Sequence, residues 1–198
     1  SFFKKYADKC DTVLDLACGT GSVSEYLSDL GYNVIGLDLS DEMLTVASSK
    51  QIKNTMFIKG DMTDFELPHK VDCCVCSLDS INHLKDIVEV KKCFDCVYNS
   101  LNDGGVFVFD VNTVYKHKNV LGNNTFVFDE EDFFLSWDNE YLGDNTVRIL
   151  LDFFVYNGKN YDRFSEEFNE KAYSVNELKS VLNNFNIIVL SPNNVLLS

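Results

Sequence analysis

Val13-Leu14-Asp15-Leu16-Ala17-Cys18-Gly19-Thr20-Gly21 is a short apolar run that leads directly into a turn with two glycines. Its apolar residues predict a central parallel strand, because such a strand is buried on both faces. Gly19 and Gly21 have no side chain that would keep a ligand away from the backbone. The residues that follow predict a helix whose buried face carries Val23, Tyr26, Leu27 and Leu30. A strand, a glycine turn and a helix N-terminus together predict a site for a nucleotide-like ligand.

Asp15 lies in this strand just before the turn, where a carboxylate would repel a pyrophosphate and favour a ligand that carries positive charge. The dinucleotide fingerprint G-x-G-x-x-G fits less well, because its third glycine would fall at Ser24. A nucleotide-dependent oxidoreductase of the Rossmann type is therefore an alternative that the sequence disfavours but leaves open.

Asp15 followed by Cys18-Gly19-Thr20-Gly21 resembles motif I of the class I methyltransferases that use S-adenosylmethionine. The resemblance implies that the turn holds the methionine and ribose parts of this cofactor. The whole chain is similar to bacterial small-molecule methyltransferases, including N-methyltransferases that act on amino sugars of nucleotide-linked deoxysugars. The implied activity is methyl transfer, of EC 2.1.1 class, to a nitrogen or oxygen atom of a small molecule. A non-catalytic module that binds S-adenosylmethionine is a second alternative.

Two further acids follow predicted strands. Asp38 ends the second strand, about 20 residues past the turn, where an acid hydrogen-bonds a ribose diol. An N-cap role for Asp38 is less favoured, because Ser40 or Asp41 already serves as the cap. In the resembled family, the position of Gly60-Asp61-Met62 places an acid against the adenine amino group and an apolar residue against the ring. The resemblance thus implies cofactor contacts from Asp15, Ala17, Cys18, Gly19, Gly21, Asp38, Leu39, Met43, Asp61, Met62 and Leu78.

The loop after the fourth strand, residues 78–84, faces the transferred methyl group in the resembled family. Asp79 and His83 are the candidate catalytic residues, since an acid can orient an amine or hydroxyl and a histidine can act as a base. Packing of His83 beside Leu84 is the alternative. Asn82 and Asn112 are candidate substrate-binding residues. No obvious catalytic group is required, because alignment alone can supply about 7–11 kcal/mol of the barrier.

The alternation of strands and helices stops after the fifth strand. Residues 125–173 predict strands joined by turns, and Gly143-Asp144 and Asn157-Gly158 are hairpin signals. The predicted fold class is α/β, a doubly wound, Rossmann-like and mostly parallel sheet with an antiparallel insertion after strand five. We expect a single domain, 1–198, in which residues 123–173 form a substrate lid.

Both ends of the chain are expected to be short for this family. Residues 1–10 predict the end of a helix and residues 185–190 a closing strand, followed by a short tail. Members of the resembled family carry a longer N-terminal helical segment, often with a tyrosine near the cofactor. A segment missing at either end would leave the pocket incomplete.

Composition limits the partners. The net charge of −14 and the pI of about 4.5 disfavour nucleic acid, which needs a basic surface. No apolar run is long enough to span a bilayer and no signal peptide is apparent, so the expected location is the cytoplasm. We expect a monomer or homodimer with a small-molecule acceptor.

The cysteines outside the glycine turn and the histidines at 69 and 117 are not assigned to the functional site. The three cysteines of the fourth strand, at 73, 74 and 76, are interpreted as core residues. The pair Cys93 and Cys96 is interpreted as structural, because it lies inside a predicted helix and not at a helix start, and no spacing fits a metal site. His69 follows a proline in a turn, and His117 lies between two lysines. Both histidines are therefore predicted to be exposed.

Overall fold

The computed structural model describes residues 10–190 and 196–197 and contains two compact units. The first unit comprises the described residues of Ser1–Ser77, Ile87–Phe109 and Val175–Ser198. The second unit comprises Leu78–Asp86 and Asp110–Ser174. The predicted N-terminal helix end, apart from Cys10, and the tail after the closing strand lie outside the described residues, except for Leu196–Leu197.

The first unit is built on a five-stranded parallel sheet. Its strands are β1 (Thr12–Leu16), β2 (Asn33–Asp38), β3 (Thr55–Lys59), β4 (Val71–Cys76) and β5 (Leu101–Phe109). They are arranged in the order β3-β2-β1-β4-β5, so the direction in which strands are added reverses at β1. In such sheets ligands bind outside the carboxyl ends of the strands near this reversal. The fold class predicted from the first strand and its turn is confirmed.

The helices of this unit are α1 (Ser22–Asp29), α2 (Asp41–Ser49), α3 (Ile87–Ser100) and α4 (Val175–Val181). The N-cap predicted for α2 is present, because the Ser40 hydroxyl accepts a hydrogen bond from the Met43 amide at 3.1 Å. The inward-facing position predicted for Tyr26 is wrong, since this side chain is 51% exposed. On α2, the Met43 side chain is 42% exposed.

The core of the first unit lies along β1 and β4. Val13, Leu14 and Leu16 are fully buried, as expected for a central parallel strand. Burial of the cysteines in β4 is confirmed, and burial raises the pKa of the Cys74 thiol well above its usual value. A thiol that is held neutral in this way is inert, which supports a packing role. Among the described residues, no group of three or more His, Cys, Asp or Glu side chains is arranged to hold a metal ion.

The second unit contains a four-stranded antiparallel sheet. Its strands are β6 (Thr125–Asp129), β7 (Phe133–Gly143), β8 (Thr146–Tyr156) and β9 (Tyr161–Lys171), paired in chain order. Both predicted hairpins are confirmed, and Gly143, Asp144 and Gly158 have the positive φ that tight turns require. Leu121, Val147 and Ile149 form the buried core on one face of this sheet. A 3₁₀ turn (Ser80–His83) and a π-helical turn (Lys116–Leu121) complete the unit.

The predicted closing strand at 185–190 is wrong in extent. Only Val189–Leu190 (β10) is extended, and it pairs antiparallel with Leu196–Leu197 (β11) in a separate two-stranded sheet. A turn in which the Phe185 amide donates to the Leu182 carbonyl follows α4 and interrupts the apolar run. Among the described residues, no helix is both long enough and apolar enough to cross a membrane.

Candidate functional site

The two glycines of the turn after β1 have different structural roles. Gly19 has a φ of +54°, and a β carbon placed there would meet no protein atom within 4 Å. Gly21 has a φ of +79°, but its β carbon would lie 2.9 Å from the Phe57 ring and 3.1 Å from Ala47. Gly21 therefore allows α1 to approach β3 closely. Gly19 instead leaves open space above the backbone of the turn.

Asp38 joins the end of β2 to this turn. Its Oδ2 accepts a hydrogen bond from the Gly19 amide at 2.8 Å, and its Oδ1 accepts one from the Ser40 amide at 2.9 Å. A carboxylate has about four lone-pair sites, so each oxygen keeps capacity for a further donor. The structure thus brings together two of the predicted site residues, Gly19 and Asp38.

Asp15 is 1% exposed and accepts a 2.5 Å hydrogen bond from the Ser24 hydroxyl. Burial raises the pKa of this carboxyl to about 6, against the opposing effect of the hydrogen bonds from Ser24. Ser24 therefore holds the N-terminal turn of α1 against β1. This contact explains why Ser24, and not Tyr26, takes the buried position on α1.

Among the other predicted cofactor residues, Asp61 closes its own turn by accepting from the Thr63 amide at 2.7 Å and the Thr63 hydroxyl at 2.8 Å. The Cys18 amide donates to the Leu37 carbonyl at 3.0 Å, and Ala17 has a φ of +59°. The apolar members differ in exposure. Met62 is partly buried and Met43 exposed, while Leu39 in the first unit and Leu78 in the second are 65% and 75% exposed.

The candidate catalytic and substrate residues all lie in the second unit, where Asn82 holds the backbone. Asn82 is fully buried. Its amide group donates to the Lys171 carbonyl at 2.9 Å and to the Asn112 carbonyl at 3.2 Å. Its Oδ1 accepts from the Asn112 amide at 2.8 Å. All the polar atoms of this side chain are therefore engaged with the backbone.

Asn112 connects two carboxylates. Its Nδ2 donates to Asp79 Oδ2 and to Glu170 Oε2, the latter at 3.0 Å. Its Oδ1 accepts from Lys116 Nζ at 2.6 Å. Asp79 and the preceding Leu78 both have positive φ, +51° and +58°, which costs energy in residues other than glycine. Strain of this kind concentrates at functional loops.

Glu170 is 5% exposed and lies between two histidines. Its Oε1 is 3.9 Å from His83 Nε2, and its Oε2 is 3.5 Å from His117 Nε2. His83 is half exposed, and its ring lies 5.2 Å from that of Phe168. The predicted exposure of His117 is wrong. The ring is fully buried because the π-helical turn directs it inward, where Nδ1 contacts the Asn145 carbonyl at 2.8 Å.

The two carboxylates of this network have opposite pKa shifts. Burial raises the pKa of Asp79, and the negative charge of Glu170 adds to this effect. Burial also acts to raise the pKa of Glu170, but contacts with His117 and Asn112 outweigh it, so the net shift is downward. Neighbouring acids whose pKa values are pushed apart are suited to different roles in proton transfer.

Known proteins resemble this chain over most of its length. A family model for the methyltransferase domain matches residues 13–105. The chain is 35% identical over 177 residues to a putative methyltransferase of Bacillus subtilis (strain 168), YqeM, covering 87% of this chain and 71% of the relative. It is 40% identical, with a TM-score of 0.80, to the crystal structure of an S-adenosylmethionine-dependent methyltransferase from Clostridium acetobutylicum ATCC 824. That match also covers 87% of this chain and 71% of the other.

This chain is an S-adenosylmethionine-dependent methyltransferase. It is also similar to dTDP-3-amino-3,4,6-trideoxy-alpha-D-glucopyranose N,N-dimethyltransferase of Streptomyces venezuelae, with 33% identity over 102 residues. That similarity covers 52% of this methyltransferase chain and 43% of the relative. The family resemblance inferred from the first strand and its turn is therefore confirmed.

The residues of the first unit fit the cofactor of this methyltransferase. The open space at Gly19 would be filled by a β carbon, which is the arrangement expected where a ligand approaches the backbone. The free lone pairs of Asp38 are suited to the two hydroxyls of a ribose. A nucleoside that carries no pyrophosphate would also avoid repulsion by the buried carboxyl group of Asp15.

Asp15 gives this methyltransferase a testable pH dependence. Because its folded pKa is raised from 3.8 to about 6, the folded state binds the proton more tightly, and stability is lost as the pH rises from about 4 to about 6. The shift corresponds to on the order of 3 kcal/mol. Asp15→Asn keeps an acceptor for Ser24 and removes the titration. We expect the free energy of unfolding of the variant, relative to that of wild type, to increase by up to this amount as the pH rises from about 4 to 7. Denaturant unfolding at each pH measures the difference.

Asp72→Asn is the control for this titration. Asp72 has its pKa lowered to about 2 by hydrogen bonds from the Thr12 and Asp11 amides. The folding stability that the Asp72 carboxylate contributes is present above about pH 4 and is lost only as the pH falls below that value. A stability difference for Asp15→Asn that stayed constant from about pH 4 to pH 7 would contradict the raised pKa.

Sequence reasoning missed Glu170, Lys116 and the role of His117. A signal for Glu170 was available in the alternation at the end of β9, where Phe168 and Glu170 share one side and Ala172 continues the pattern directly after the strand. Charged side chains are seldom buried, so an acid between two apolar residues on the same side of a strand is an informative position. No comparable signal marks His117, since its flanking lysines favour exposure.

Proposed function

We propose that this methyltransferase transfers a methyl group from S-adenosylmethionine to the nitrogen of a small-molecule amine. The observation that carries the proposal is the network of Asp79, Glu170 and His83, which offers two carboxylates and a half-exposed base. An amine that arrives as a cation is attracted by such carboxylates. The similarity to a sugar N,N-dimethyltransferase supports nitrogen as the acceptor atom.

The first unit is proposed to bind the cofactor. Asp38 accepts the ribose hydroxyls, the backbone at Gly19 lies against the ligand, and Asp15 adds negative charge below the turn. Apolar contacts to the adenine are assigned to Leu39, Met43 and Met62, with the carboxylate of Asp61 beside its amino group. When bound, S-adenosylmethionine supplies a methyl group on a positively charged sulfur, which leaves as a neutral thioether. The proposed cofactor residues of this unit are completed by Ala17, Cys18 and Gly21.

The second unit is proposed to bind the amine and take up its proton. An alkylamine is protonated at neutral pH and must lose a proton before its lone pair can form the new bond. Asp79 orients the ammonium group, and His83 accepts the proton, with Glu170 beside it to stabilise the resulting charge. Asn112 fixes the two carboxylates, and Asn82 fixes the backbone that carries them.

The test pairs amines with alcohols of the same carbon skeleton, such as 2-phenylethylamine with 2-phenylethanol and glucosamine with glucose. S-adenosylhomocysteine formation is measured with each. We expect turnover with at least one amine and with none of the alcohols. Turnover confined to the alcohols would contradict the proposal. Cofactor binding without turnover of any amine in the panel would also contradict it.

His83→Gln tests the proton acceptor in the same assay. We expect kcat/KM for the amine to fall by at least ~100-fold, the usual range for loss of a general base. Binding of S-adenosylhomocysteine is expected to remain unchanged. His69→Gln is the matched control, because His69 is exposed in the first unit. Equal rates for wild type and His83→Gln would return His83 to a packing role beside Leu84.

A further inference from the structure

One face of the antiparallel sheet in the second unit is apolar along most of its length. Directly paired residues on antiparallel strands share a face, and so do alternate residues along each strand. By the observed register, one cross-strand row on this face contains Phe128, Leu135, Phe153 and Phe164. The next row contains Phe126, Trp137, Leu151 and Glu166.

The same face ends in the acidic network. Ile149 pairs with Phe168, and Val147 pairs with Glu170, in the two rows that follow. Glu170 thus lies on the apolar face, about 20 Å along the strand from Phe164. Phe168, which contacts the His83 ring, separates the carboxylate from the aromatic rows. A ring beside a buried acid is the arrangement expected for a ligand with an apolar body and a charged end.

The side chains on this face become more exposed with distance from Glu170. Val147 is fully buried and Ile149 is 1% exposed, whereas Phe128 and Phe164 are 43% and 57% exposed. Trp137 lies between these extremes, partly buried, with its ring 5.5 Å from that of Phe126. The exposed aromatic rows therefore form a surface that continues directly into the core of the unit.

The charges of the second unit oppose a phosphate. Residues 78–86 and 110–174 carry 15 acidic and seven basic side chains. Four of the basic side chains already have polar partners: Arg148 pairs with Glu140, Arg163 with Asp152 and Lys171 with Asp144, while Lys116 donates to Asn112. Recognition of a diphosphate needs several converging cations or amides. The basic side chains of this unit are instead dispersed among acids.

We propose that the acceptor amine of this methyltransferase has an apolar, ring-containing body and carries no phosphate. The proposal rests on the proposed function, because it takes the network at Glu170 as the amine end of the site. The apolar rows around Trp137 hold the body, and Glu170, joined to Asp79 through Asn112, adds its negative charge to that of Asp79 at the ammonium end. The acceptor thus differs in class from the dTDP-linked amino sugar named for the Streptomyces venezuelae relative.

Trp137 provides the readout, because it is the only tryptophan in the chain. Its fluorescence is followed in the full chain during titration with 2-phenylethylamine, 3-phenylpropionate and thymidine 5′-diphosphate. We expect a saturable change with 2-phenylethylamine, with an affinity on the order of millimolar for so small a probe. 3-Phenylpropionate matches the ring but reverses the charge. It and thymidine 5′-diphosphate are expected to give no saturable change.

Glu170→Gln and Glu167→Gln form the matched pair of variants. Both lie on β9, but Glu167 is exposed, follows Glu166 and so points to the opposite face, 3.8 Å from Arg148. We expect Glu170→Gln to weaken 2-phenylethylamine binding by at least ~10-fold, as for loss of a charged hydrogen-bond partner. Glu167→Gln is expected to bind as wild type does. Unfolding midpoints of both variants identify any loss that comes from misfolding.

Calorimetry with S-adenosylhomocysteine distinguishes the two proposals. If this ligand binds but the amine gives no saturable change, or binds no better than 3-phenylpropionate, the acceptor class is wrong and cofactor binding stands. Saturable binding of thymidine 5′-diphosphate at Trp137 would also overturn the inference. If S-adenosylhomocysteine does not bind, the proposed function fails and this inference fails with it.

Discussion

Replacing Asp38 with alanine is expected to weaken S-adenosylhomocysteine binding by about 100- to 1,000-fold, or about 3–4 kcal/mol. The ribose hydroxyls lose a charged acceptor, and each such hydrogen bond contributes about 1.5–3 kcal/mol. The Gly19 amide also loses the 2.8 Å hydrogen bond that fixes the turn beneath the ligand. Isothermal titration calorimetry of the full chain measures the affinity.

Asp72→Ala is the matched control for this substitution. Asp72 Oδ2 accepts hydrogen bonds from the Asp11 and Thr12 amides, both at 3.0 Å, so its removal also frees two backbone donors. It lies at the start of β4, whereas Asp38 lies at the carboxyl end of β2. We expect Asp72→Ala to lose stability and keep its affinity for S-adenosylhomocysteine. Unchanged affinity in Asp38→Ala would remove Asp38 from the ribose site.

Replacing Gly19 with alanine is expected to lower S-adenosylhomocysteine affinity by about 100-fold. The β carbon meets no protein atom within 4 Å, so it can occupy the open space without displacing any neighbour. A ligand seated against the turn would clash with it, and interiors that are closely packed do not absorb an extra methyl group without strain. Gly19→Val, with a larger side chain, is expected to abolish binding. The left-handed backbone adds about 1–2 kcal/mol of instability in the alanine variant.

Gly31→Ala separates backbone strain from steric block. Gly31 follows the C-cap of α1 with a φ of +97°, and a β carbon there also meets nothing within 4 Å. The two alanine variants are therefore expected to lose stability by similar amounts, measured by denaturant unfolding. Only Gly19→Ala should lose affinity in calorimetry. A normal binding isotherm for Gly19→Ala and Gly19→Val would show that no ligand lies against this turn.

The features predicted correctly from sequence are those that local chemistry specifies. The strand at Val13 and the turn at Gly19 are adjacent in sequence, and their residue types restrict both conformation and burial. The position of Asp38 at the end of the second strand follows from the apolar pattern of that strand. The hairpins at Gly143 and Asn157 follow from turn preferences in the same way. These local signals were sufficient to place the chain in its family.

The features that sequence reasoning missed depend on contacts between distant segments. Glu170 reaches His83 and His117 only after the β8–β9 register is formed, and nothing near Glu170 in the chain identifies those partners. Helical periodicity failed at Tyr26 for a similar reason. The contact between Ser24 and Asp15 sets which side of α1 is buried.

A crystal structure of the full chain with S-adenosylhomocysteine tests the central claim most directly. The expected result is a ligand seated on the turn at Gly19, with both ribose hydroxyls within hydrogen-bond distance of the Asp38 carboxylate. A ribose bound elsewhere, with Asp38 still bonded only to the Gly19 and Ser40 amides, would contradict the claim that this turn and this acid form the cofactor site.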